Sequence, residues 1–364
     1  MSVFQEHDAR ATDYDLIHFE ALGPEADHLR EATSIAMERG ELPPTHTSLM
    51  TPRSVQDYLE EHPETRLPKL ITIKTHSVLP ANYLAGAKKS VITRSAGYDH
   101  LEHLAATVNL ASLREYCVTA VAQTVMKLLY AAAGELNHYT HQTATFDRKN
   151  SRAFVELGPH KSLTVYGVGK IGKRVYELAA ANGLSVQGVD LRQDSLQNVY
   201  GEGFTFVSKD EAIMSSDIIV NAMNLTKNQA SPFYNVGYFT KEYLAQARDG
   251  LIFINVTRGE IAPEAGLWDL YRAGKIMGLG LDVFSSEAEF ATLVSSDEEV
   301  GDDHAAARHM VRKALDRSAN IYVQPHQGFN SDLAARTKAF EAIKHVVAWH
   351  RNQGTCFDEQ LPYY

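Results

Sequence analysis

Cysteine is nearly absent from this chain. Cys117 and Cys356 are the only two in 364 residues, too few for a disulfide framework and without metal-ligand spacing, so both are expected as reduced thiols. Long apolar runs are missing too: no segment approaches the roughly eighteen uninterrupted apolar residues of a membrane span. The N-terminus, MSVFQEHDARATDYDLIHFEAL, is charged throughout and lacks the basic region and apolar core of a secretory signal; the expected compartment is the cytoplasm. Nor is there a long Lys/Arg stripe. The formal charge is −10, from 45 acidic against 35 basic residues, which argues against nucleic acid as a partner. The 16 histidines show no HExxH or comparable spacing, so no metal is expected.

What is present is a globular composition, 44% hydrophobic and 22% charged, on a length that suits two domains. The N-terminal third alternates short apolar runs with helical patterns, from DLIHFEAL through PEADHLREATSIAMERG and SVQDYLEEH to KLITIK, NYLAGAKK and SVITRS. Glu41 to Ser48 reads as a polar loop, and Leu113 to Ala133 as a long buried helix closing the first unit. The segment after Gly134 has no clean period and reads as a stretch wrapping the surface or another subunit. The rhythm then resumes with SLTVYGV, LSVQGVD, DIIVNAM, LIFINV, IMGLGLDV and NIYVQP, separated by helical stretches such as GKRVYELAAANG and PEAGLWDLYRAG. Strands alternating with helices predict a parallel sheet covered on both faces. A final helix is expected from Asp332 to about Arg351.

LTVYGVGKIGKRVYELA sets Gly167, Gly169 and Gly172 in a G-x-G-x-x-G turn between strand and helix. Gly167 suits the tight turn, Gly169 lets backbone amides approach a pyrophosphate, and Gly172 allows helix and strand to pack closely. The helix opening at Lys170 and Ile171 offers unpaired N–H groups to the anion. By itself the pattern also fits a ligand-free glycine turn. Asp190 ends the next strand, eighteen residues after Gly172, where its carboxylate can take the ribose hydroxyls and would repel a 2′-phosphate. NAD is therefore expected as cofactor, with Arg192 close enough to leave NADP open.

Three later strands are each followed by reactive polar side chains: Arg258 in LIFINVTRGE, Asp282 and Glu287 in MGLGLDVFSSE, and His326 in IYVQPHQGF. Each alone also reads as a surface ion-pair partner, a solvated acid or a packed histidine. Together, GVGKIG, INVTRGE, GLDVFSSE and PHQGF resemble the signatures of the D-isomer-specific 2-hydroxyacid dehydrogenase family. SVITRSAGYDHLEHLA resembles that family's substrate-side glycine turn. The first eighty or so residues match only in rhythm.

The resemblance implies an α/β protein of two domains, a Rossmann-type doubly wound parallel sheet inserted into a flavodoxin-like α/β substrate domain. The expected boundaries are 1–133 plus 327–364 for the substrate domain and 134–326 for the NAD-binding domain. It also implies hydride transfer between NAD(H) and a small D-2-hydroxy or 2-keto acid, in a homodimer. Arg258, Glu287 and His326 fall on the family's catalytic set. His326 would exchange the proton, Glu287 would orient the ring and favour the imidazolium, and Arg258 would pair with the substrate carboxylate. Ala96 and Gly97 would hold that carboxylate through their amides. Asp282 would meet the nicotinamide carboxamide, with Val256 and Thr257 at that end of the cofactor and Met223 and Asn224 at the adenosine end.

Several positions depart from the pattern. Ala288 stands where proline is usual, with a second acid at Glu289, and Glu287 is preferred on its five-residue offset from Asp282. The connection from Glu287 to His326 is longer than the family norm; SSDEEVGDD and HAAARHMVRKALDRS read as a surface excursion rather than a regulatory element. Asn224 replaces a common proline, and Gln123 a usual glutamate. Lys74, Thr75 and His76 read equally as a substrate contact or a surface loop. Two other functions fit the same fold: oxidation of formate or phosphite, and a non-catalytic NAD-sensing protein like the family's corepressors. The presence of Arg258, Glu287 and His326 together counts against the second.

Overall fold

Residues 14–146, 148–149, 151–296 and 300–363 are described by a computed structural model. Contacts divide them into two units, the residues up to Cys117 with those from Asp332 onward, and Val118–Ser331. Among the described residues no helix is long and apolar enough to cross a membrane.

In the first unit β1 (Leu16–His18), β2 (Ser48–Met50), β3 (Leu70–Ile73), β4 (Ser90–Thr93) and β5 (Asn109–Ser112) pair in the order β2-β1-β3-β4-β5. All pairs are parallel, and the order is the flavodoxin-like one. Parallel neighbours require crossovers, which α1 (Pro24–Glu38), α2 (Val55–Glu61) and the short α3 (Ala81–Leu84) help to supply. The C-terminal helix, Ala334–Arg351, returns to this unit. It buries Ala339, Ala342, Ile343 and Val346 in one cluster with Leu29, Ala32 and Ala36 of α1.

Two strands were hidden in the sequence pattern. The polar loop ends in the three-residue edge strand β2, and β5 precedes the long helix, which starts at Val118 rather than Leu113. The Glu341 carboxylate accepts from the backbone N–H groups of Glu115 and Tyr116 at 3.0 and 2.7 Å. Those bonds hold the chain outside the helix until Cys117.

The second unit contains α4 (Val118–Ala133), α5 (Leu136–Gln142), β6 (Ser162–Tyr166), α6 (Lys170–Ala181), β7 (Ser185–Val189), α7 (Gln193–Tyr200) and α8 (Lys209–Ser215). It continues with β8 (Ile218–Asn221), α9 (Lys241–Leu244), β9 (Leu251–Asn255), α10 (Glu264–Arg272), β10 (Ile276–Leu281), α11 (Glu287–Leu293), α12 (Asp302–Leu315) and β11 (Ile321–Val323). Its sheet runs β11-β10-β9-β8-β6-β7, parallel throughout. Beyond β7 a single parallel bridge joins Gly188 to Phe206, where a Rossmann sheet carries a further strand. The chain reverses direction across the sheet between β6 and β8, the position at which open α/β sheets bind ligands.

Helix α4 was expected to close the first unit but packs within the second. The reason lies in IMGLGL of β10. A Cβ on Gly280 would stand 2.8 Å from Leu128 Cβ, and one on Gly278 3.0 Å from Ala132 Cβ, so the two glycines make room for the helix against the sheet. The boundary falls at Cys117/Val118, and the unit ends at Ser331. Of the stretch read as a surface excursion, residues 297–299 lie outside the described residues, but helix α12 is likewise built in. Ala307 and Met310 of α12 are fully buried in one core with Leu267 and Leu270 of α10, and His309 stacks on Trp268 at 5.8 Å.

Packing of this kind has a measurable cost when undone. Met310→Ala should lower the unfolding free energy by about 2–5 kcal/mol. Met214→Ala, at a side chain 62% exposed, should stay within about 0.5 kcal/mol of the parent. Urea denaturation of both variants checks the pair, and equal values would contradict a buried α12.

Candidate active site

At the switch point Gly167 has φ +84, and a Cβ there would meet the Met223 backbone at 2.8 Å. The turns after β6 and β8 therefore touch where side chains leave no space. A Cβ on Gly172 would stand 2.0 Å from Gly167 O, which locks the first turn of α6 under the strand. Gly169 differs. Its φ of −75 is open to any residue, and a Cβ there would meet nothing among the described residues within 4 Å. It caps α6 without a side-chain hydrogen bond, and the space over its Cβ position at the helix start, next to Lys170 and Ile171, makes a cradle suited to a pyrophosphate.

Asp190 follows β7. Its Oδ2 accepts from Val168 N at 2.9 Å, and Oδ1 from Arg192 N at 2.9 Å. The Arg192 guanidinium lies along the same carboxylate, with Nε 3.1 Å from Oδ1 and Nη2 3.2 Å from Oδ2. Asp190 thus braces the glycine turn and carries the Arg192 cation along its carboxylate. On the far side of the switch point, Met223 N donates to Asn221 Oδ1 at 3.1 Å, and Asn224 O accepts from Asn235 Nδ2 at 2.7 Å.

Strands β9, β10 and β11 are adjacent, so Arg258, Asp282, Glu287 and His326 all leave the same edge of the sheet. Glu287 Oε2 lies 2.7 Å from His326 Nδ1, while Glu289 is exposed. The other oxygen, Oε1, accepts from Phe284 N at 3.3 Å. Left-handed backbone occurs at or beside both partners: Ser286, just before the glutamate, has φ +48, and His326 itself has φ +50. Such conformations in non-glycine residues persist only where surrounding contacts hold them.

Asp282 provides those contacts. Its Oδ1 accepts from Gln324 Nε2 at 2.6 Å and Gln327 N at 2.8 Å, and its Oδ2 from Gly328 N at 2.9 Å. Its backbone O takes His326 N at 2.7 Å. Burial raises the carboxyl above its ordinary value, and these hydrogen bonds oppose that rise.

Two asparagines that the sequence reading missed hold the Arg258 turn. Asn221 Nδ2 donates to Asn255 Oδ1 at 3.0 Å and Thr257 Oγ1 at 2.9 Å, and Asn255 Nδ2 donates to Arg258 O at 2.9 Å. Arg258 Nη1 donates to Thr257 O at 2.8 Å, and Val256 is buried beneath. The available signal was a polar residue ending each of two neighbouring apolar strands, DIIVN and LIFIN.

The remaining predicted positions belong to the first unit. Ala96 and Gly97 lie in the turn after β4, where Ser95 Oγ donates to Gly97 O at 2.7 Å. Lys74 N and His76 N donate to the buried Glu20 carboxylate at 2.8 and 3.2 Å, and Lys74 Nζ pairs with Glu25. Glu25 in turn bonds the fully buried Arg94 at 2.8 Å.

A scan of protein families matches residues 126–328 to the model "D-isomer specific 2-hydroxyacid dehydrogenase, NAD binding domain", more than half of the chain. The chain belongs to that family. It is an NAD-dependent oxidoreductase of the D-2-hydroxyacid dehydrogenase type, and the cradle over Gly169 fits the cofactor. The D-lactate dehydrogenase of Treponema pallidum (strain Nichols) is 25% identical over 271 residues, covering 72% of this chain and 76% of that one. An aromatic 2-oxoacid reductase of Clostridium sporogenes is 25% identical over 282 residues, 75% and 78% of the two chains. Among solved structures, D-lactate dehydrogenase from Aquifex aeolicus, complexed with NAD and lactic acid, superposes with a TM-score of 0.71 at 20% identity. It covers 93% of this dehydrogenase and 96% of that chain.

Behind the site sits a carboxyl with no assigned part, Glu264. It is 2% exposed, and burial, the largest influence, pushes it from the ordinary 4.5 up to about 7. Because folding raises this value, the stabilisation is full below the unfolded value and is lost as pH climbs through about 7. Glu264→Gln cannot titrate, so its stability relative to the parent should rise between pH 4 and 8 by on the order of 3 kcal/mol. Denaturation curves at several pH values check this, and a pH-independent difference would contradict it. Gly169→Ala should cost the fold no more than about 1 kcal/mol yet weaken NADH binding about tenfold or more by crowding the phosphates. Unchanged affinity in a fluorescence titration would leave the open cradle without a ligand.

Proposed function

We propose that the protein reduces a small 2-keto acid to the D-2-hydroxy acid with NADH, and runs the reverse reaction, with His326 as the proton donor and acceptor. The observation that carries this reading is the 2.7 Å contact between Glu287 Oε2 and His326 Nδ1. A carboxylate on Nδ1 fixes the ring and its tautomer, which directs Nε2 toward the substrate oxygen. The imidazolium is the form able to protonate a carbonyl oxygen. Arg258 supplies a permanent forked cation for the substrate carboxylate and polarises the adjacent carbonyl. The backbone amides of Ala96 and Gly97, in the turn after β4, are the first unit's candidates for binding a substrate carboxylate.

Gly167, Gly169, Lys170, Ile171 and Gly172 hold the pyrophosphate of NAD, Asp190 the ribose, and Met223 and Asn224 the adenosine side. Val256, Thr257 and Asp282 hold the nicotinamide end. When bound, NADH supplies the hydride. Small 2-keto acids such as pyruvate, hydroxypyruvate and phenylpyruvate are the substrate class this reading favours, and relatives named for D-lactate and for aromatic 2-oxoacids support it. A homodimer in the cytoplasm is the proposed working form.

NADH absorbance followed with those three acids tests the reading. His326→Ala should reduce kcat about 100-fold or more; turnover of none of the acids, or turnover indifferent to the substitution, would refute it. Asp190→Ala should narrow the preference for NAD over NADP, since it removes the repelling charge and leaves Arg192 beside the 2′ position. An unchanged ratio of kcat/KM values would count against a ribose role.

A further inference from the structure

We propose that Glu264 is a positioning residue for the Glu287–His326 pair, acting through Ser285, with helix α12 as its backing. The inference rests on the acid–base reading above and adds a residue to it.

Glu264 opens α10, and its Oε1 accepts from Ser285 N at 2.7 Å. Its Oε2 is buried and meets no hydrogen-bond partner among the described residues. A hydrocarbon side chain would be easier to bury, but it would give Ser285 N nothing to donate to. Ser285 lies two residues before Glu287 and immediately before the left-handed Ser286, so its placement sets the direction in which the glutamate leaves the strand.

The other side of Ser285 is held by α12. His304 Nε2 lies 3.3 Å from Ser285 O, and its ring stacks on Phe290 at 5.8 Å. Asp303 Oδ1 accepts from Ala265 N at 2.9 Å, which fixes the helix start that carries Glu264. Ser285 is thus held at both backbone polar atoms, by Glu264 at N and by His304 at O. The Arg258 turn meets the same point: a Cβ on Gly259 would stand 2.0 Å from Ser285 N and 2.7 Å from Glu264 Oε1. One buried contact therefore registers the loop of Arg258 against the loop of Glu287. The inserted helix, rather than decorating the surface, closes it from behind.

The test uses the full chain with NADH and pyruvate, hydroxypyruvate or phenylpyruvate, whichever the parent reduces fastest. Glu264→Ala should lower kcat about 10- to 100-fold with KM for NADH unchanged. It should also shift or broaden the downfield imidazole N–H resonance of His326, identified by its loss in His326→Ala. Glu264→Gln should restore both, because an amide oxygen can still accept from Ser285 N, and His304→Ala should move both in the same direction by less. A Glu264→Ala protein that is merely less stable, with kcat and resonance unmoved, overturns the proposal, as does a Gln variant no better than Ala. If Glu264→Ala does not fold, unchanged values in His304→Ala overturn it. An inactive parent would refute the acid–base reading instead, and the resonance comparison would still decide this one.

Discussion

Parallel strands impose the arrangement on which everything else here depends. Each strand of such a sheet must return by a crossover, so all the strands end at one edge and their polar end groups accumulate there. With β9, β10 and β11 side by side, Arg258, Glu287 and His326 are delivered to a common edge by backbone geometry before any side-chain interaction is considered. Asp282 then converts proximity into registry. Its carboxylate binds the amides of Gln327 and Gly328, and its carbonyl binds that of His326. One buried acid at the end of β10 thereby dictates the path of the loop after β11.

The loops at this edge are held by close backbone approach and by polar groups rather than by apolar packing. Gly167 against Met223 and Gly259 against Ser285 leave no space for a Cβ. Ser286 and His326 occupy left-handed conformations that cost about 1–3 kcal/mol each, and Glu264 keeps in the interior an oxygen with no hydrogen-bond partner among the described residues. The stability that offsets these features comes from the core beneath, where Phe239, Phe253, Leu251 and Leu279 are fully buried. A stable sheet carrying strained ends is what a pre-organised site requires.

Much of this was legible in the sequence because it depends on local pattern. The apolar runs from SLTVYGV to NIYVQP became β6 to β11, and the three glycines and the strand-end polar residues stand at the turns where their spacing put them. What escaped depends on partners distant in the chain. The strand β2 is three residues long and earns its assignment only by pairing with β1. The start of α4 is set by Glu341, more than two hundred residues away. That α4 belongs with β10 follows from Gly278 and Gly280, whose role as a landing face emerges only once helix and strand are adjacent. The same holds for Asn221, Asn255 and Glu264, whose bonds join separate elements of the fold. The excursion after Glu287 looked solvated because its acidic stretch dominates, yet Ala307 and Met310 on one face of α12 are core residues.

The first unit is discontinuous, and its last helix is threaded into its core from the far side of the second unit's chain. Ala339, Ala342, Ile343, Val346 and Phe357 share a cluster with Leu16, Leu70 and Ile92, and Ser112 N donates to the hydroxyl of Tyr363 at 2.7 Å. During synthesis the second unit therefore leaves the ribosome whole, with every strand of its sheet available, while the first unit waits with an uncovered face until its closing helix has emerged. A segment translated before the second unit therefore cannot complete its core until one translated after it has emerged.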